Sequence, residues 1–351
     1  MTKVFIGEPL PGVKTFPILN KQLGKEPYTG TKPFRAIFDE MDFSFIELVG
    51  EPRDADYFLI PHYYSSVRGN TPYIDFFVSH ARKYGKKILI FAYGDSEEDI
   101  AVPESIIFRY AGYKYMHREG DGTVIMPTQI YAGDILEENL FFLRDKSDIP
   151  TVSFCGWGEL GSFRQKLKYL SRIVPLDFRK YVLRDVHADV HKQGIYWRKK
   201  AMHAVEGSPR VKTSFLVRDF YSASKKTMKG DPVELRREYI ANILQSDFVL
   251  MPRGDANMAT RFYETLALGR IPVVIDTEWV LPLQNVVDYR KFVVFVPYTD
   301  VRNTDIYIRK FWDGLTNETF HAAQKQARET FMKYLRFDSF LKYMFENNLK
   351  L

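Results

Sequence analysis

The sequence predicts an α/β protein of two domains. Residues 246–282 read as strand, loop, helix, strand, and so short a unit implies a right-handed crossover in a parallel sheet. At 351 residues the chain is long for one core and natural for two. Apolar runs of strand length recur in both halves, with helical patterns between them.

The 246–282 unit also carries the most chemistry. Phe248 to Met251 is a buried-strand run, Pro252-Arg253-Gly254-Asp255 is turn chemistry, and a helical pattern follows from about Met258 to Leu268. Gly269 stops that helix before the strand Ile271 to Ile275. In parallel sheets ligands bind beyond the carboxyl ends of strands, which is where Arg253 and Gly254 fall. Arg261 and Glu264 are three apart, on one helical face. An arginine fork suits a phosphate, and a glutamate one turn on can accept from ribose hydroxyls. The spacing alone fits an ordinary surface ion pair equally well.

This stretch resembles the carboxyl-terminal signature of the exostosin glycosyltransferases. The proline-arginine-glycine loop, the Arg-x-x-Glu pair, the Gly-x-x-Pro-Val step and an aromatic before Leu-Pro are matched by Arg253, Arg261, Glu264, Gly269, Pro272 and Trp279. The resemblance implies a GT-B fold, two Rossmann-like domains that face one another across a cleft, with a C-terminal helix that crosses back onto the first domain. It also implies a donor held by the second domain, inversion at the anomeric carbon and no catalytic metal. The donor expected is a nucleotide-diphosphate sugar, of the UDP class, and the acceptor a glycan or glycoconjugate hydroxyl.

Composition bounds the partners. The net charge is +6, with 45% hydrophobic and 27% charged residues. Lys and Arg are spread along the chain without a basic block, so a cationic cleft accounts for the bias and no nucleic-acid partner is expected. The single cysteine, Cys155, cannot form an internal disulfide. No stretch approaches the roughly 20 apolar residues of a spanning helix. The compartment expected is the cytoplasm, or the Golgi lumen if a native anchor precedes the sequence.

The first domain is expected over 1–147. Its opening residues, rich in Pro, Gly and Lys, give no firm reading. A short helix is expected over 34–43, then strands at 45–49, 57–60, 87–92 and 105–109, with a helix from Tyr73 to Lys83. Glu119 to Gly122 reads as a hairpin-type turn before the run at Val124. Asp54-Ala55-Asp56 spells a metal-binding Asp-x-Asp, but it precedes its strand, where acids open a turn. His62, Asp95 and Arg109 each follow a strand end. Asp95 and His62 are the candidate bases; Arg109 and Tyr63 are the candidate acceptor-side contacts.

The second domain is expected over 148–316. A strand from Thr151 runs into Gly156-Trp157-Gly158-Glu159-Leu160-Gly161-Ser162, a loop whose N–H groups suit phosphate oxygens. Gly158, Ser162 and Arg164 therefore join Arg253, Gly254, Arg261, Glu264 and Arg218 as candidate donor contacts. A helix is expected from Phe163 to Ile173, and His187 and His191, four apart, read as a hydrogen-bonded pair rather than metal ligands. Residues 317–351 are expected to be helices packing towards the first domain. The rival readings are a nucleotide-sugar epimerase or hydrolase of the same fold and a non-catalytic polyanion- or glycan-binding module.

Overall fold

Each half of the chain builds one all-parallel sheet, and the two share a strand logic. The computed structural model describes residues 1–25, 41–94, 99–117, 120, 122–130, 132–136, 140–222, 227–347 and 349. The first sheet contains β1 (Thr2–Phe5), β2 (Ile46–Leu48), β3 (Tyr57–Leu59), β4 (Lys87–Ala92), β5 (Ser105–Arg109) and β6 (Thr123–Ile125) in the order β2-β1-β3-β4-β5-β6. The second contains β7 (Thr151–Trp157), β8 (Lys212–Arg218), β9 (Phe248–Met251), β10 (Ile271–Asp276) and β11 (Val294–Pro297) in the order β11-β10-β9-β7-β8. Strand order reverses between β1 and β3 in one sheet and between β7 and β9 in the other. These switch points are where crevices open in doubly wound folds.

The central strands β4, β9 and β10 are nearly continuous apolar runs, as expected where both faces are covered. Phe248, Val249, Leu250 and Met251 are all essentially buried. The first domain supplies α1 (Tyr64–Val67) and α2 (Thr71–Tyr84), with α3 (Gly133–Leu136) in the connection to the second. Asn70 caps α2 by accepting from the Tyr73 N–H at 3.2 Å, and Gly85 ends it in the left-handed region. The second domain supplies α4 (Phe163–Tyr181), α5 (Gly194–Val205), α6 (Pro232–Leu244), α7 (Thr260–Ala267) and α8 (Thr304–Asp313), followed by α9 (Asn317–Thr330) and α10 (Phe337–Glu346). Gly269 ends α7 at φ +64°, and a side chain there would meet Phe141 at 2.3 Å. Both the backbone and the packing exclude anything larger.

Several expectations change. The opening residues contain β1, a central strand. β5 and β6 pair in parallel, so the glycine turn before β6 closes a crossover and not a hairpin. The helix expected over 34–43 lies mostly outside the described residues. α4 does not stop before Pro175 but runs on to Tyr181. The carbonyl that Pro175 leaves without its helical donor belongs to Ser171, an exposed residue.

The domain limits also shift. Ile130, Ala132 and Ile135 belong to the core of the second domain, so the connection packs there from about residue 130. α9 stays with that core through Phe320, Ala323 and Ala327. Only α10 crosses back: Phe337, Phe340, Leu341, Met344 and Phe345 share a core with Val4, Phe16, Leu89 and Phe91 of the first domain.

Candidate functional site

The switch point of the second sheet opens into a cleft of about 860 Å³. Its floor is the end of β7 (Cys155, Gly156, Trp157) and the loop after β9 (Gly254, Asp255). α5, α6 and α7 bring in Arg198, Arg236, Tyr239, Arg261 and Glu264, and Gln129 and Ile130 close it from the side of the first domain.

Glu264 is 8% exposed and is held from two sides. Arg236 Nη1 donates to its Oε1 at 2.5 Å, and the Tyr239 hydroxyl donates to its Oε2 at 2.6 Å. Arg236 also binds Asp134 of α3, through Nε at 2.7 Å and Nη2 at 3.0 Å. The charge of Arg236 is therefore fully matched, and its carboxylate partners keep its pKa well above the usual arginine value despite burial. Each oxygen of Glu264 still has a lone pair for a further donor.

Arg261 and Arg198 are the opposite case. Arg261 donates Nη2 to the Cys155 carbonyl and stacks 4.4 Å from the Phe154 ring centroid. Its Nε has no hydrogen-bond partner among the described residues. Arg198 donates Nη1 to the Trp157 carbonyl at 3.1 Å. Burial, and next the charge of Arg261, push the Arg198 pKa down to about 10. Neither guanidinium forms an ion pair with a carboxylate among the described residues. Two half-buried cations that repel each other make a site that favours an anion. Gly156 permits this arrangement: at φ +145°, its would-be Cβ lies 2.7 Å from Arg261 Nη2.

Other predicted donor contacts are placed differently. Gly254 lines the cleft, but Arg253 turns away from it. Arg253 is 6% exposed and donates to the Tyr113 hydroxyl at 2.6 Å, to the Val190 carbonyl and to the Asp255 carbonyl at 2.8 Å. It bolts a first-domain loop to the second domain. The same loop stacks Tyr115 on His187 at 3.8 Å and bonds the Tyr115 hydroxyl to His191 at 2.6 Å. Arg218 is paired with Glu238 at 2.9 Å behind the cleft wall. Gly158 is packed against Val217 and Met202. Ser162 lines the cleft while its hydroxyl caps α4, accepting from the Gln165 N–H at 3.2 Å. Arg164 is exposed on α4, off the lining.

The first-domain expectations also divide. His62 is fully buried: Nδ1 donates to the Lys14 carbonyl at 3.0 Å and Nε2 accepts from the Leu10 N–H at 2.9 Å. Both ring nitrogens serve the backbone, and burial pushes the pKa down, so His62 is a structural neutral imidazole and not a base. Asp95 lies outside the described residues. Arg109 and Tyr63 do not line the cleft; Tyr63 packs edge-on against Phe16 at 5.3 Å. Asp56 accepts from the Lys3 N–H at 2.8 Å, and Asp54 ends a short turn before β3. Among the described residues no three His, Cys, Asp or Glu side chains cluster as a metal site.

Two functional candidates have no sequence motif. Arg198 sits in an unremarkable helical stretch. Gln129, 2% exposed, accepts from the Tyr110 hydroxyl, and its Nε2 has no partner among the described residues. Their placement depends on contacts far along the chain.

Two parallel α/β domains of one topology, a cleft at a switch point and a terminal helix returning to the first domain define a GT-B-type protein. Residues 197–311 match the Exostosin GT47 domain, a span that holds Arg198, Arg236, Arg261 and Glu264. The match covers 115 of the 351 residues of the chain. It is 31% identical to the Exostosin-1 homolog of Caenorhabditis elegans over 101 residues, 29% of this chain and 25% of that protein. It is 35% identical to a probable arabinosyltransferase of Arabidopsis thaliana over 63 residues, 18% of this chain and 14% of that one. The chain thus covers a quarter or less of the length of these relatives. The catalytic domain of starch synthase IV from Arabidopsis thaliana, bound to ADP and acarbose, aligns over 84% of this chain and 72% of that one at 10% identity, with a TM-score of 0.33.

Proposed function

We propose that this protein is a glycosyltransferase that moves a sugar from a nucleotide-diphosphate donor, of the UDP class, to a hydroxyl of a glycan or glycoconjugate. The observation that carries the reading is the pair of half-buried guanidinium groups, Arg198 and Arg261, without a carboxylate partner among the described residues, beside the locked carboxylate of Glu264. The diphosphate neutralises the two arginines, and Glu264 accepts from the ribose hydroxyls. The acceptor oxygen attacks the anomeric carbon from the face opposite the diphosphate, so configuration inverts. The carbon–oxygen bond to the diphosphate breaks, and its electron pair leaves with the phosphate, stabilised by both arginines. A base on the first-domain side removes the hydroxyl proton. With His62 committed to the backbone, Asp95 beyond the end of β4 is the candidate for that role. Gln129 Nε2 donates to a sugar or acceptor oxygen. The reading includes independence from a metal.

The test is a thermal-shift screen of the full chain against nucleoside diphosphates and their sugars, with and without EDTA. A ligand at about 100 times its Kd stabilises a fold by about 2.7 kcal/mol. A shift with one nucleotide class, insensitive to EDTA and lost in Arg261→Ala and Glu264→Ala, supports the donor site. Transfer to an acceptor, lost in Asp95→Asn with the shift retained, supports the base. Donor cleavage that needs no acceptor points to an epimerase or hydrolase. No nucleotide shift from the folded chain, with heparin binding that survives moderate salt, points to a polyanion module.

A further inference from the structure

Helix α4 turns its apolar residues away from the protein. Phe163, Leu167, Leu170, Val174, Phe178 and Tyr181 are all exposed, by 80% at Phe163 and 71% at Tyr181. At about 3.6 residues per turn they fall within an arc of roughly 80°. Ile173 is the buried residue of this helix. The stripe continues beyond the helix in Val182, Leu183 and Val186, which are also exposed. Single exposed apolar residues are ordinary, but a continuous row marks a binding surface.

The flanks of the stripe are cationic. Arg164 and Lys166 are exposed and form no ion pair among the described residues, while Lys168 faces the cleft. The one acid of the helix, Asp177, is bonded to Lys192 at 2.7 Å. A moderately apolar stripe bordered by basic residues is the pattern of a helix lying in a bilayer interface. Among the described residues no helix is long and apolar enough to cross a membrane.

We propose that α4 docks this protein on the surface of an anionic bilayer. The apolar stripe enters the boundary between headgroups and acyl chains, and Arg164 and Lys166 face the lipid phosphates and carboxylates. Charge selects a bilayer over a second copy of the chain. Symmetric pairing through the stripe brings two cationic rows together, with the available acid already bonded. The inner side of α4 lines the cleft through Gln165, Tyr169 and Arg172, so docking sets the cleft beside the lipid surface.

The test is co-sedimentation of the full chain with phosphatidylcholine vesicles and with vesicles that also contain phosphatidylserine, without nucleotide, so that it stands apart from the transfer reading. The chain is expected to sediment with the anionic vesicles and to be released by salt. Leu170→Glu/Val174→Glu and Arg164→Glu/Lys166→Glu should each weaken binding on the order of tenfold or more. All four positions are exposed, and circular dichroism checks that both variants fold. Absence of binding to anionic vesicles, or equal binding by both variants, overturns the proposal. So does a dimer, seen by light scattering, that Leu170→Glu/Val174→Glu dissociates in a chain that ignores vesicles.

Discussion

Arg236 holds Glu264: their charged groups meet at 2.5 Å, although Arg261 is the arginine that shares a helical face with the glutamate. Arg261 instead reaches the Cys155 carbonyl across the cleft floor. The two arginines thus have separate jobs, and the difference can be measured. Arg236→Met leaves Asp134 and Glu264 buried without their cation. It should cost about 3–5 kcal/mol of stability, read as a fall in the urea midpoint. Arg261→Met should leave stability far closer to that of the parent chain and remove the nucleotide shift.

Arg198→Met should do the reverse of an ordinary core mutation. In the folded chain its guanidinium is disfavoured by burial and by Arg261, so at neutral pH its charge is a cost to the fold. Removing it should raise the ligand-free Tm, by on the order of 1 kcal/mol in stability, and abolish the shift with nucleoside diphosphates. Calorimetry with and without ligand separates the two effects.

Gly156→Ala adds one methyl group at a left-handed backbone position, 2.7 Å from Arg261 Nη2. The expected cost is about 1–3 kcal/mol of stability. The arginine must move off the Cys155 carbonyl, so nucleotide affinity should fall as well. A variant with normal affinity would show that Arg261 does not act from its observed position.

His62 makes stability depend on pH. Burial holds its folded-state pKa below the ordinary imidazole value of 6.5, so the unfolded chain binds the proton more readily. Its contribution is present above pH 6.5 and is lost as pH falls below that value. Thermal melts from neutral to mildly acidic pH should show a declining Tm. The decline should be shallower for His62→Asn measured relative to its own value at neutral pH. An unchanged slope would mean that other groups dominate.

The sequence by itself determined the fold class and pointed to the helix that borders the candidate cleft. Runs such as 88–92 of β4 and Phe248–Met251 are apolar throughout because both faces of a parallel sheet are covered, and that signal is local. Arg261, Glu264 and Gly269 were legible because one short helix carries or borders all three. Tertiary structure alone decided which groups meet. Arg236 lies 28 residues from Glu264 and 102 from Asp134, and Arg261 lies 106 from Cys155. Arg253, by its motif a donor contact, became a domain bolt because Tyr113, 140 residues away, takes one of its donors. His62 lost its catalytic reading to two backbone groups in residues 10–14. Periodicity records which face of an element is buried, but the partner of a long polar side chain is set by the packing of distant elements, which no local pattern encodes.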